Sequence, residues 1–168
     1  GIARAAFIAV QILKSFVTQK IITQEGYDDF MGSLSTVNKQ MNQNLYLYAN
    51  GKLSKEDFLQ KYGHIRPGTY DIMSLRYDEA FDEYFSNQID TVQTVADDTY
   101  TFSAEVMQRI QKELEQNGLL ISAEELIEYI RETIEGRESS KFVFTKAVSR
   151  ILQLIEQLGN RLDISKEE

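Results

Sequence analysis

Apolar residues recur every three or four positions along most of the chain, which is the spacing of one face of an α-helix. The pattern predicts a first helix over about residues 2–22, with apolar positions around most of its circumference. A second helix is predicted to begin after a cap at Thr23 and to end at Asn50 and Gly51. Its apolar stripe consists of Phe30, Leu34, Val37, Met41, Leu45 and Tyr48.

Serine residues mark the starts of three later helices. Ser54, followed by Asp57, predicts a short helix, and Ser103 predicts a helix that ends at an Asn-Gly pair. Ser122 and Glu125 have the spacing of a capping box, in which each residue bonds the other's backbone N–H. A further helical turn is predicted around residues 81–85, followed by a polar loop that we expect to be mobile up to about residue 101.

The last apolar stripe follows a glycine. Gly136 predicts a pause in the helix that begins near Ser122, because glycine disfavours helix interiors by about 1 kcal/mol relative to alanine. The helix is then expected to resume and to end at Gly159. Its stripe consists of Phe144, Val148, Ile151, Ile155 and Leu158.

No alternating β-type run is present, so the predicted fold class is all-α, a bundle of about five to seven helices. We expect residues 1–168 to form a single helical domain, with 1–85 and 102–168 as the candidate sub-bundles.

Composition narrows the function classes. The formal net charge of −8 argues against nucleic-acid and anionic-membrane partners, which require concentrated Lys and Arg. The chain has no cysteine and a single histidine, so a disulfide framework and a zinc–thiolate site are excluded, a cytoplasmic location is expected, and no metal site is predicted. The apolar N-terminal stretch is interrupted by charged residues too early for a membrane span. The sequence opens without Met and stops at DISKEE, which suggests a piece of something longer.

The stretch KYGHIRPGTYDI holds the only histidine and the only proline. His64 is the candidate general acid or base, although no catalytic residue is assigned, and Arg66 and Arg76 are candidate anion clamps beside Tyr70 and Asp71. The alternative interpretation is a tight Pro-Gly turn that redirects the chain and buries satisfied polar groups. The residues alone favour that structural interpretation.

A second polar group lies in GRESSKF. Arg137 and Lys141 are its candidate binding residues, and Glu138 has the helical spacing to pair with Lys141. A solvated helical face is the simpler interpretation. No glycine-rich phosphate loop or nucleophile elbow occurs, so an independent enzyme is not expected.

Two stretches together, FLQKYGHIRPGTYDIMSLRYDE and GRESSKFVFTKAVSRILQLIEQLG, resemble the helical region of phosphoenolpyruvate-utilising phosphotransferases. This family includes phosphoenolpyruvate synthase, pyruvate phosphate dikinase and the rifampin phosphotransferases. Nearly the whole chain is similar to that region. The resemblance implies a multidomain, ATP- and Mg-dependent enzyme in which an ATP-grasp domain phosphorylates a histidine on a swivelling domain, which carries the phosphoryl group to an acceptor.

By that resemblance, this chain is the acceptor-binding or linker part, with the ATP-grasp and swivelling domains of the same full-length chain as its partners. It lacks their motifs, and His64 does not match the phosphohistidine signature, so the chain is expected to hold no cofactor and to be inert alone. The implied acceptor-binding residues are His64, Arg66, Tyr70, Asp71, Arg76, Arg137 and Lys141. The acceptor is an unknown small molecule. The alternative function is an all-α protein–protein interaction module.

Overall fold

The computed structural model describes residues 1–93 and 99–166, and these residues form seven α-helices and no strand. The predicted all-α class is therefore confirmed. The helices are α1 Ile2–Thr18, α2 Gln24–Ser33, α3 Val37–Ala49, α4 Lys55–Tyr62, α5 Phe81–Ile89, α6 Ala104–Gln116 and α7 Ala123–Arg161. Part of the polar loop expected to be mobile, residues 94–98, lies outside the described residues.

The helices belong to two compact units. Unit 1 comprises described residues 1–36 and 99–139, and unit 2 comprises described residues 37–93 and 140–166. Each unit contains residues from both halves of the chain, so the two compact units do not coincide with the candidate sub-bundles 1–85 and 102–168. The long helix α7 begins in unit 1 and ends in unit 2.

Unit 1 is built from α1, α2, α6 and the first part of α7 around a mainly aliphatic core. Its fully buried residues include Ala9, Leu13, Phe30, Ile110 and Ile130. Removal of such side chains from water is the main stabilising contribution, at about 25 cal/mol per Å² of apolar surface. Unit 2 instead has an aromatic core, formed by α3, α4, α5 and a loop between α4 and α5.

Phe58 is the centre of that aromatic core and has no solvent exposure. Its ring lies 5.0 Å from Tyr62, 5.7 Å from Phe81 and 5.3 Å from Phe85, measured between ring centroids. The last two contacts are edge to face, a favourable arrangement because the positive ring edge meets the negative ring face. The side chain of Phe58 thus packs against three residues of α4 and α5 and holds these two helices together.

The predicted caps are confirmed. The side chains of Ser54, Ser103 and Ser122 accept hydrogen bonds from backbone N–H groups three residues later. At Ser122 the backbone N–H also donates to the Glu125 carboxylate at 2.9 Å, which completes the capping box and lowers the pKa of Glu125. Gly51 has φ +68°, the left-handed conformation expected of a residue that ends a helix.

The first helix is shorter than predicted, since α1 ends at Thr18 and not near Ile22. Lys20 adopts φ +59°, and the Ile21 and Ile22 N–H groups both donate back to the Phe16 carbonyl. This turn buries both isoleucines in the core of unit 1 without extending the helix. The apolar residues that surround most of this helix are not all buried, because Phe7 and Ile8 are 62% and 50% exposed.

The predicted second helix is in fact two helices that belong to different units. Its Thr23 cap is confirmed, because the Thr23 hydroxyl accepts from the Gly26 N–H. The break falls at Leu34, whose backbone is extended although its side chain is buried in unit 1. The next N–H, of Ser35, donates to the Glu135 carboxylate at 2.7 Å and so cannot continue the helical ladder.

The pause predicted at Gly136 does not occur, because α7 is continuous and passes Gly159 to end at Arg161. A Cβ atom at Gly136 would lie 2.8 Å from Cδ1 of Ile2. The missing side chain therefore allows the start of α1 to approach α7 closely within unit 1. Among the helices of the described ranges, none is long and apolar enough to cross a membrane.

The packing around Phe58 predicts a large loss of stability on truncation. Phe58→Ala leaves a cavity in the aromatic core and is expected to lower the free energy of unfolding by about 3–5 kcal/mol. Tyr70→Ala is the matched control, because Tyr70 is 73% exposed and its loss should change stability by less than about 0.5 kcal/mol. Urea denaturation of the three proteins measures the difference, and equal midpoints for Phe58→Ala and wild type would refute the packing.

Candidate functional site

The KYGHIRPGTYDI stretch begins in the last turn of α4 and continues into a closed loop in unit 2, residues 63–78, which we call the His64 loop. Its two ends are joined by backbone hydrogen bonds: the Tyr77 N–H donates to the Ile65 carbonyl at 2.8 Å, and the Asp78 N–H donates to the Gly63 carbonyl at 3.1 Å. The Tyr77 ring also packs 4.8 Å from Phe85, edge to face. The loop is therefore a fixed part of the aromatic core.

Two glycines are required by close approaches in this loop. A Cβ atom at Gly63 would lie 2.4 Å from the Leu59 carbonyl oxygen and 3.0 Å from Cβ of Asp78. A Cβ atom at Gly68 would lie 2.8 Å from Cβ of Asp71. Distances this short are repulsive, so a larger residue at either position would force the loop open.

His64 is buried against the side chain of Phe142. Its imidazole is 7% exposed and lies 4.8 Å from the Phe142 ring, in an edge-to-face contact. Neither ring nitrogen makes a hydrogen bond of normal geometry to any of the described residues. The ring is thus held by packing, and both of its nitrogens are buried.

The pKa of His64 is lowered from its ordinary value, chiefly because burial penalises the charged imidazolium. The positive charges of Lys146 and Arg76 lower it further. Two weaker effects oppose them, a polar interaction with the backbone of Phe142 and the negative charge of Asp78. The result is an imidazole that is neutral at neutral pH.

Arg66 is 4% exposed and its guanidinium serves the loop itself. Its Nη1 donates to the Asp71 carbonyl at 3.2 Å and, more weakly, to the Ile72 carbonyl at 3.5 Å. The Nε atom has no hydrogen-bond partner within the part of the chain that the structure describes. Arg66 therefore ties the two limbs of the Pro-Gly turn together, which agrees with the structural interpretation of this residue.

Arg76 is the second arginine of the loop and forms an ion pair with Asp78. Its side chain is only 12% exposed, and its Nε is buried without a hydrogen-bond partner among residues 1–93 and 99–166. One carboxylate accepts hydrogen bonds from only some of the five N–H groups of a guanidinium. Arg76 therefore retains N–H groups that could donate hydrogen bonds to an anion.

Tyr70 and Asp71 lie at the exposed tip of the loop. The Asp71 carboxylate accepts the Met73 N–H at 2.9 Å, a local turn contact. The tip is therefore shaped by its own backbone and presents an aromatic ring to solvent.

Arg137 and Lys141 occupy α7. Arg137 belongs to unit 1, where its Nε lies 3.5 Å from the Glu138 carboxylate and its guanidinium lies over the Phe7 ring. Glu138 therefore pairs with Arg137, the residue next to it. Lys141 is exposed and belongs to unit 2.

Sequence reasoning missed Lys146, the cation of α7 whose charge acts on His64. A signal for it was present, because Phe142, Lys146 and Ser149 have the i, i+4, i+7 spacing of one helix face. Phe142 packs on the core and Ser149 is buried, so this face of α7 is turned toward the core of unit 2. Lys146 lies between them in sequence and is exposed.

No group of three or more His, Asp or Glu residues suitable for a metal ion occurs within the described ranges. Comparison with family models, with curated proteins and with solved structures gives no match to this chain.

The close approach at Gly63 predicts that a single methyl group destabilises unit 2. Gly63→Ala is expected to lower the free energy of unfolding by about 1–3 kcal/mol, because the Leu59 carbonyl and Asp78 must move. The control is Gly32→Ala in α2, where no atom lies within 4 Å of the new methyl group and the helix gains propensity. Thermal unfolding measures both, and a Gly63→Ala protein as stable as wild type would show that the loop is not closed as described.

The environment of His64 predicts its titration. As the only histidine, it gives one imidazole Hε1 resonance, and its NMR titration midpoint should lie below the ordinary value of about 6.5. Lys146→Gln should raise that midpoint, because one of the two positive charges is lost. Lys112→Gln, on exposed α6 surface, should leave it unchanged. A midpoint at or above about 6.5 in the folded protein would contradict the burial of a neutral ring.

Proposed function

We propose that this chain is the helical acceptor-binding or linker domain of an ATP-dependent, phosphohistidine-using phosphotransferase similar to phosphoenolpyruvate synthase. One observation carries the proposal. The family-like motif folds into a closed loop that buries His64 against Phe142, where burial and the positive charges of Lys146 and Arg76 lower the pKa of the imidazole. On this proposal the domain positions an acceptor and is not catalytic alone.

The neutral state of His64 suits proton acceptance from an acceptor hydroxyl. In the transfer, the P–N bond of a phosphohistidine protonated on its other ring nitrogen breaks, so that this histidine leaves as a neutral imidazole, and a P–O bond to the acceptor forms. The hydroxyl proton passes to the unprotonated nitrogen of His64, which docking of the acceptor would have to uncover because both nitrogens are buried. A nitrogen that is already protonated cannot accept it, so a lowered pKa keeps His64 competent at neutral pH. On this proposal the swivelling domain brings the phosphohistidine to the acceptor, and this chain holds the acceptor in line with the phosphoryl group.

The cations suit an anionic acceptor or phosphoryl group. The Arg76 side chain is only 12% exposed, so its charge is less screened than in water, and the exposed Lys146 adds a second positive charge that acts on His64. Arg66 acts by holding the loop, and Tyr70 and Asp71 offer the exposed tip to the swivelling domain. Arg137 and Lys141 stay candidates for the acceptor surface through the resemblance alone.

The remaining parts of the proposal concern the full-length enzyme. ATP and Mg would be bound by an ATP-grasp domain, the phosphohistidine would lie on a swivelling domain, and both would belong to the same chain as these residues. A cytoplasmic location follows, because ATP and phosphoenolpyruvate are available there.

A second candidate function, an all-α protein–protein interaction module, is favoured by one observation. The second half of α7 exposes a row of large apolar side chains, and patches of that kind mark interaction surfaces in proteins.

Ligand titration tests the leading proposal. Phosphoenolpyruvate, pyruvate and inorganic phosphate are added in turn while the His64 Hε1 resonance is recorded at constant pH. At least one should shift the resonance saturably, and Arg76→Gln or Lys146→Gln should weaken that binding about tenfold or more, as expected for a hydrogen bond to a charged group. Lys112→Gln is the control that should bind as wild type. No shift with any of the three, or equal binding by all variants, would count against an anion-binding site.

Labelling separates positioning from catalysis. Incubation of the chain with β- or γ-labelled ATP should leave it unlabelled, because the phosphorylated histidine is expected elsewhere. Incorporation of label would show that the chain is itself a phosphoryl carrier and would overturn the proposed division of roles.

A further inference from the structure

A continuous apolar strip runs along the second half of α7, in unit 2. It consists of Phe144, Val148, Ile151, Ile155, Leu158 and Leu162, the last in the turn that follows the helix. All except Val148 are 52–60% exposed. The sequence predicts an apolar stripe at all of these positions except Leu162, and in the structure most of the strip is exposed to solvent.

The spacing of the strip is that of a coiled-coil seam. Successive members are separated by four, three, four, three and four residues, the alternation of a and d positions in a heptad repeat. The opposite side of the helix is already occupied, because Phe142 packs on the core of unit 2 and Ser149 is buried. Residues two apart lie about 200° around a helix, so Phe144 and Ile151 face away from that core.

We propose that the strip binds the same strip of a second copy of this chain, in antiparallel orientation. The area is sufficient. Val143 and Leu154 flank the strip and are also exposed. With roughly 100 Å² presented by each half-exposed side chain, the surface amounts to about 700 Å² per chain, close to the ~800 Å² per partner of specific interfaces.

Charge favours a second copy of the chain over a lipid surface. The positions that flank the strip on one side are Ala147, Leu154 and Arg161, and those on the other are Thr145, Leu152 and Gly159. Only Arg161 is charged. An amphipathic helix that lies on an anionic membrane instead has Lys and Arg along both flanks of its apolar face. Uncharged flanks also avoid the like-charge contacts that two identical chains would otherwise make.

The antiparallel orientation follows from the register. About a two-fold axis near residue 153, Phe144 faces Leu162, Val148 faces Leu158 and Ile151 faces Ile155, so every member of the strip has an apolar partner. A parallel pair would place both Arg161 side chains and both helix C-termini at one end. The antiparallel pair separates them and opposes the two helix dipoles.

The mass of the protein in solution tests the proposal. Sedimentation equilibrium at tens of micromolar should give twice the 19.4 kDa chain mass for wild type. Ile151→Glu and Leu158→Glu should each return the mass to that of one chain, with affinity reduced at least about a hundredfold because a charge is buried in the seam. Gln157→Glu adds the same charge on an exposed position beside Leu158 and should remain a dimer. Circular dichroism verifies that all three variants fold.

Disulfide cross-linking tests the relative orientation of the two helices. The chain has no cysteine of its own, so only the introduced cysteines can react. A mixture of Val148→Cys and Leu158→Cys proteins should form the mixed disulfide on oxidation, while each protein alone should not. Self-cross-linking of Val148→Cys alone would overturn the antiparallel arrangement. A monomer at every concentration, a dimer that survives both glutamate substitutions, or a monomer that binds phosphatidylserine vesicles through the strip would overturn the proposal.

Discussion

The packing of aromatic rings around Phe58 is the interaction on which unit 2 depends. Rings from α3, α4 and α5 contact one another at centroid distances of 5.0–6.5 Å, and Tyr77 extends the cluster into the His64 loop. A cluster of this kind contributes both buried area and preferred ring geometry. Because Tyr77 packs on it and also donates to Ile65, the cluster holds both ends of the loop.

The state of His64 follows from that constraint. A loop fixed at both ends can keep an imidazole against Phe142 without hydrogen bonds to its nitrogens, and burial there lowers the histidine's pKa. Arg66 has a structural role in this loop, since its guanidinium donates hydrogen bonds to carbonyls of the turn. Within the motif Arg66 holds the loop through its hydrogen bonds, whereas both ring nitrogens of His64 and the Nε atom of Arg76 are buried without a hydrogen-bond partner among the described residues.

The parts of the structure that depend on neighbours in sequence were predictable. The capping box of Ser122 and Glu125 and the left-handed Gly51 need only a few adjacent residues. The break at Leu34 was not predictable from spacing, because Leu34 continues the stripe and the Ser35 N–H finds its acceptor a hundred residues later. Lys146 was missed for the same reason, since its effect on His64 requires the placement of α7 against the core of unit 2.

Amide hydrogen exchange tests most directly whether the aromatic core fixes the loop. The N–H groups of Tyr77 and Asp78 close the loop, and the Gly63 N–H belongs to the last turn of α4 with a 2.7 Å bond to Leu59. If the loop is part of the core, all three should exchange with similar free energies of opening, near that for unfolding of unit 2. Exchange of Tyr77 and Asp78 at the rate of an unprotected peptide, with Gly63 still protected, would show that the loop opens independently and would contradict this account.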